Sequence, residues 1–142
     1  MRPLYEETDE LKVLVVDAVR QRRQALIAML QSLGIRIVRG AIRHTHALSL
    51  LQLGLGPDIV LLDGGLPDDG AEKFFADLAR LRLLDSTTFI VVHSPRDKAR
   101  KPLPVECIGP TRFGSLRRPL TTSKLRAKIE AFGFALPVAL RD

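Results

Sequence analysis

PDIVLLDGGLPDDG, residues 57–70, holds an unbroken apolar run, Ile59 to Leu62, that stops at a carboxylate, Asp63. An apolar run with no polar alternation reads as a strand buried on both faces, as in a parallel sheet. An acid at the C-terminal edge of such a strand stands where open α/β sheets place their ligands. Gly64 and Gly65 let the backbone come close to whatever Asp63 touches. A helical pattern follows from Ala71, with Asp69 and Glu72 at capping-box spacing and Phe74, Leu78 and Leu81 as its buried stripe.

The same grammar recurs on either side. LKVLVV at 11–16 is a second apolar run that ends in a carboxylate, Asp17. Val19, Leu26, Leu30 and Leu33 then mark one helix face, and Gly34 closes that helix. Ile35–Val38 reads as a short strand, and Ala47, Leu48, Leu51 and Leu55 mark a helix that ends in the breaker GLGP at 54–57. TTFIVV at 87–92 is a β-branched strand. Pro95, Pro102, Pro104 and Pro110 then interrupt the pattern, so a helix capped by Ser94 can hardly pass Lys101. A fifth strand is expected within 112–117, and Thr121 or Thr122 caps a last helix with Leu125, Ile129 and Phe132 inward.

Five strands alternating with helices predict a parallel sheet with right-handed crossovers and helices on both faces. In the flavodoxin-like order 2-1-3-4-5, the first and third strands are neighbours at the switch point. Asp17 and Asp63 then stand side by side. The expected organisation is a tail or linker at 1–10, one α/β domain at 11–132, and a tail or linker to another domain at 133–142.

The chain has 142 residues, 46% apolar and 27% charged, as in ordinary soluble domains. No apolar run approaches the roughly 18 residues of a membrane span. The single Cys107 cannot form an internal disulfide, and the polar N-terminus carries no secretory pattern, so a cytoplasmic setting is expected. The net charge of +6 is uneven: residues 95–128 hold ten Lys/Arg against two acids, Asp97 and Glu106. Without a helix-turn-helix, zinc finger or aromatic platform, this stretch predicts an acidic protein partner or neighbouring domain rather than nucleic acid. His44 and His46 lack the further ligands of a zinc site. No GxSxG, GxGxxG or Walker pattern occurs, which disfavours hydrolase and nucleotide enzymes. DAVRQRR after the first strand is also unlike the Gly-rich phosphate loop of a flavin binder.

Two carboxylates beside a Gly-rich loop suit a hard cation such as Mg²⁺. A carboxylate can also attack phosphorus and form an acyl phosphate, provided a cation offsets the repulsion between anions. Arg118, after the fifth strand, is the candidate cation. Asp63 can equally be a strand-end acid paired with Arg118, and Asp17 a simple helix cap.

VLVVD at 13–17, PDIVLLDGGLPDDG at 57–70 and LRRPLTTSKL at 116–125 resemble the receiver domains of two-component response regulators, over about residues 11–132. The resemblance implies that Asp63 accepts phosphate from a histidine kinase or phosphotransfer protein. It also implies that Asp17, Asp63 and the Gly65 carbonyl hold Mg²⁺, and that Arg118–Pro119 is cis. Four positions depart from the family. Ala18 stands where a second metal-binding acid is usual, and His93 where a Thr or Ser hydrogen-bonds the phosphoryl group, with Ser94 adjacent. Arg118 replaces Lys, and Ser115 replaces the switch aromatic, with Phe113 the nearest ring. The fourth helix of the family is shortened here.

The expected function is therefore a receiver-like signalling module without catalysis beyond phosphorylation at Asp63, signalling by protein contacts through 95–128, and with a homodimer possible. The alternative is a pseudo-receiver: a phosphorylation-independent binding or scaffolding domain in which Arg118 reaches Asp63 directly.

Overall fold

The structure, a computed structural model, describes residues 11–66, 70–82, 87–95 and 112–136. Strands β1 (Lys12–Val16), β2 (Ile37–Ala41), β3 (Ile59–Asp63), β4 (Thr88–His93) and β5 (Arg112–Arg117) form one parallel sheet in the order β2-β1-β3-β4-β5. The helices among the described residues are α1 (Arg20–Ser32), α2 (His44–Gln52), α3 (Gly70–Arg80) and α4 (Thr122–Ala131).

The strands read as continuous apolar runs because both faces of the sheet are covered. Leu14, Val16, Val60, Leu62, Phe89 and Val91 point to one face, where Ala47 and Leu51 of α2 and Phe74, Phe75 and Leu78 of α3 meet them. The alternating residues Val13, Val15, Ile59, Leu61, Ile90 and Val92 point to the other, against Leu26 and Leu30 of α1 and Leu125 and Ile129 of α4. This is the flavodoxin-like order expected from the sequence.

Details differ where local chemistry outweighs the apolar pattern. Val19 was expected in the buried stripe but is 43% exposed. It is the N-cap of α1, and its N–H donates to Asp17 Oδ1 at 2.8 Å, a turn that leads its side chain outward. The stripe therefore begins at Leu26. Strand β2 starts at Ile37, two residues after Ile35, because the Ile35 N–H still donates to Leu30 O (3.3 Å) in the turn that closes α1. Of the two threonine caps considered, Thr121 serves: its hydroxyl accepts from the Lys124 N–H at 3.1 Å. Asp69, the three prolines after Pro95, Cys107 and the shortened fourth helix lie outside the described residues.

Strand β5 is half-exposed and depends on ring contacts. Phe113 lies 5.8 Å from the Phe75 ring, which stacks edge-on against Phe89 at 5.3 Å. Phe113 is thus committed to the core, while Ser115 is exposed. On the other face, a Cβ at Gly114 would come within 2.7 Å of Phe132 Cζ, so only glycine lets that ring lie across the strand. Arg112 stacks on Phe132 and Phe134 and donates to Phe132 O at 2.6 Å. Leu136 is buried beyond them.

Candidate functional site

The parallel register pairs Val16 with Leu62, so the next residues, Asp17 and Asp63, emerge together at the C-terminal edge of β1 and β3. Both are nearly inaccessible, at 1% and 4% exposure. Two buried carboxylates side by side repel and are poorly solvated, so their charge requires compensation.

Two arginines supply it. Arg22, on the first turn of α1, donates from Nε to Asp17 Oδ2 (3.1 Å) and from Nη2 to Asp17 Oδ1 (3.0 Å). The same Nη2 donates to Asp63 Oδ2 at 2.9 Å, so one guanidinium bridges both acids. Arg118 donates from Nη2 to Asp17 Oδ2 at 3.1 Å and lies 3.6 Å from Asp63 Oδ1. Two carboxylates thus face two guanidiniums. The match is incomplete: Asp63 Oδ1 and Arg118 Nε are buried without a hydrogen-bond partner among the described residues.

Arg118 was foreseen as the cation near Asp63, but its closer contact is Asp17. Arg22 was not foreseen. A signal for it does exist in the sequence. Arg20, Arg22 and Arg23 crowd the start of a helix with no acid in its first turn, where the macrodipole disfavours cations. Such a placement points to specific partners. Arg22 finds the two carboxylates, and Arg23 Nη1 donates to the Asp17 carbonyl at 2.9 Å.

The remaining candidates are arranged around this pair. His93 ends β4 with its side chain exposed, and its carbonyl accepts from the Arg118 N–H at 2.7 Å. The His93 ring rests over Gly64, where an added Cβ would come within 3.0 Å of Nδ1. Ser94 and Gly65 are half-buried, and Ala18 is exposed. The Arg118–Pro119 bond is cis, as expected from the sequence.

The pKa of Asp63 is raised from the ordinary carboxylate range, chiefly by burial and next by the charge of Asp17. Arg22, Arg118 and the Gly65 backbone amide offset this only in part. A raised pKa means that the folded state binds the Asp63 proton more tightly than the unfolded state does. The group's contribution is then most favourable below its ordinary value and is lost as pH rises through the raised one. Asp63→Asn lacks this titration. Its stability relative to the parent is expected to increase as pH rises from 3 to 7. Urea unfolding across that range checks the sign.

The arrangement does not fit Mg²⁺. Arg22 Nη2 already bridges the oxygens that a shared ion would need, at 3.0 and 2.9 Å. Ala18 offers no donor in place of a further acid, and two guanidiniums already match the two negative charges.

The fold is that of solved response-regulator receiver domains. A chemotaxis protein of Vibrio cholerae, CheY4, superposes with a TM-score of 0.71 at 21% identity, covering 86% of this chain and 98% of that one. A CheY-like receiver domain from Methanospirillum hungatei gives 0.72 at 18% identity, over 85% and 92% of the two chains. A probable two-component response regulator/GGDEF domain protein gives 0.69 at 19% identity, over 89% of this chain and 50% of that one. No protein-family model and no curated protein matches the sequence. No helix among the described residues is long and apolar enough to cross a membrane.

Proposed function

We propose that this chain is a receiver-like signalling module of a two-component or phosphorelay system that works as a phosphorylation-independent protein-binding domain. The observation that carries this reading is the Arg22 bridge between Asp17 and Asp63, at 3.0 and 2.9 Å. The bridge supplies internally the charge compensation that a metal ion would otherwise provide. It also keeps both acids engaged, which favours one conformation. Its partner is a histidine kinase, a phosphotransfer protein or a neighbouring domain with an acidic surface, met by the basic residues of 95–128.

The test is intact-mass analysis after incubation with acetyl phosphate and Mg²⁺. The parent chain is expected to stay unmodified. The double variant Arg22→Ala, Ala18→Asp frees the carboxylates and restores an acid, and is expected to gain one phosphoryl group, lost again with Asp63→Asn. A Mg²⁺-dependent adduct on the parent chain overturns the proposal.

One observation favours the second reading, in which Asp63 is a phospho-acceptor: its Oδ1 is buried without a hydrogen-bond partner. In that reading Arg118 neutralises the phosphoryl group and Ser94 or His93 hydrogen-bonds it. Arg22 must first release Asp17 and Asp63.

A further inference from the structure

Strand β2 is an edge of the sheet: among the described residues it pairs with β1 alone. Successive residues of a strand turn their backbone groups to opposite sides. The Ala41 carbonyl accepts from the Asp17 N–H at 3.0 Å and so faces β1. By the same alternation, the N–H and C=O groups of Val38 and Gly40 face away from the sheet. They stand as donors and acceptors in the geometry that a further strand needs.

The charged side chains around this edge are of one sign. Residues 18–57, which supply α1, β2 and α2, contain six arginines and no Asp or Glu. Arg22 and Arg23 are engaged at the acid pair. Arg20, Arg36, Arg39 and Arg43 are exposed. Of these, Arg39 stands in the middle of β2, on the face it shares with Ala41 and α2. The opposite face is apolar. Val38 is half-buried there, and Ile27 and the stem of Arg23, both on α1, lie against Gly40. Ile42, directly after the strand, is 46% exposed.

We propose that the free edge of β2 takes up an extended acidic segment of a partner protein as a further strand, with acidic and apolar residues in alternation. The backbone of the segment pairs with Val38 and Gly40. Its acids fall on the Arg39 face and its apolar side chains against Val38 and Ile27, because side chains alternate between the two faces of a sheet. A charge on an edge strand ordinarily guards it against unwanted pairing. Arg39 guards β2 against a second copy of the chain, since pairing two β2 edges brings arginine beside arginine. Towards an acidic strand the same residue is attractive, so the guard also selects the partner. Strands β2 and β5 are opposite edges of the sheet, which keeps this contact apart from any made through β5.

The test titrates the full chain with a capped heptapeptide of alternating glutamate and valine, followed by amide chemical shifts. Saturable shifts are expected at Val38 and Gly40. The same peptide with every peptide nitrogen methylated has no backbone donors and is expected to bind at least about tenfold more weakly. Arg39 is exposed, so Arg39→Glu keeps the fold. This variant is expected to bind the glutamate peptide at least about threefold more weakly and to favour a lysine–valine peptide instead. Absence of saturable shifts at millimolar peptide overturns the proposal. So does equal binding of the methylated peptide, unchanged affinity in Arg39→Glu, or tighter binding of mixed-sequence duplex DNA to the same residues. Shifts at Val38 and Gly40 that grow with protein concentration alone assign the edge to a second copy and overturn it as well. Shifts of these two amides in the peptide-free variant Glu6→Gln, Glu7→Gln, Asp9→Asn, Glu10→Gln assign the edge to the chain's own acidic stretch, with the same consequence.

Discussion

Arg22→Met is expected to destabilise the fold by about 2–3 kcal/mol at pH 7, and Asp63→Asn in the same chain to recover much of the loss. The methionine keeps the length and apolar body of the side chain but removes the guanidinium that spans Asp17 and Asp63. Two carboxylates, each almost fully buried, are then left with Arg118 as their cation. Removing one partner of a fully buried pair costs about 3–5 kcal/mol. The expected value is smaller because the Arg22 side chain is 35% exposed and Arg118 stays in place. Acid should reduce the cost, since protonation of Asp63 relieves the repulsion that the variant uncovers. Urea unfolding of the two single variants and the double variant, at pH 5 and pH 7, tests all three statements. A purely additive double variant would show that Arg22 and Asp63 do not interact as the geometry indicates.

Phe75→Ala is expected to cost about 3–5 kcal/mol, a large share of the roughly 5–15 kcal/mol that holds a domain of this size folded. Phe75 is 1% exposed and lies among three other rings, Phe74 at 6.0 Å, Phe89 at 5.3 Å and Phe113 at 5.8 Å. Its loss leaves a cavity that the surrounding β-sheet cannot close. The effect should also be uneven. Phe113 anchors β5 to the core on this face, and β5 leads directly to Arg118. Hydrogen exchange is therefore expected to accelerate in β5 more than in β1 or β3. Phe75→Leu, which retains most of the volume, should cost much less. Uniform acceleration across the sheet would show that β5 is not held through this ring.

The backbone plan was legible because each central strand is a run of apolar residues with no polar interruption. Only burial on both faces accounts for Val13–Val16 and Ile59–Leu62, and burial on both faces implies parallel strands between layers of helices. The terminal acids were legible for the same reason: a run that stops at Asp17 or Asp63 places that residue at the sheet edge. The helix phase was less legible. Val19 fits the apolar period, yet the turn made by Asp17 sets the start of α1 one residue later and turns Val19 outward. At β5 the sequence offered two neighbouring positions, Phe113 and Ser115. Packing against Phe75 placed the ring inside and the serine at the surface.

The two apolar runs, their terminal carboxylates and the order of elements were determined by the sequence by itself, and the two acids stand side by side because the strand order sets β1 against β3. Which cation meets them was decided only in the tertiary structure. Arg20, Arg22 and Arg23 are chemically equivalent in the sequence and lie within one helical turn. Only the orientation of α1 on the sheet, set by Leu26 and Leu30 beneath it, brings Arg22 across both carboxylates.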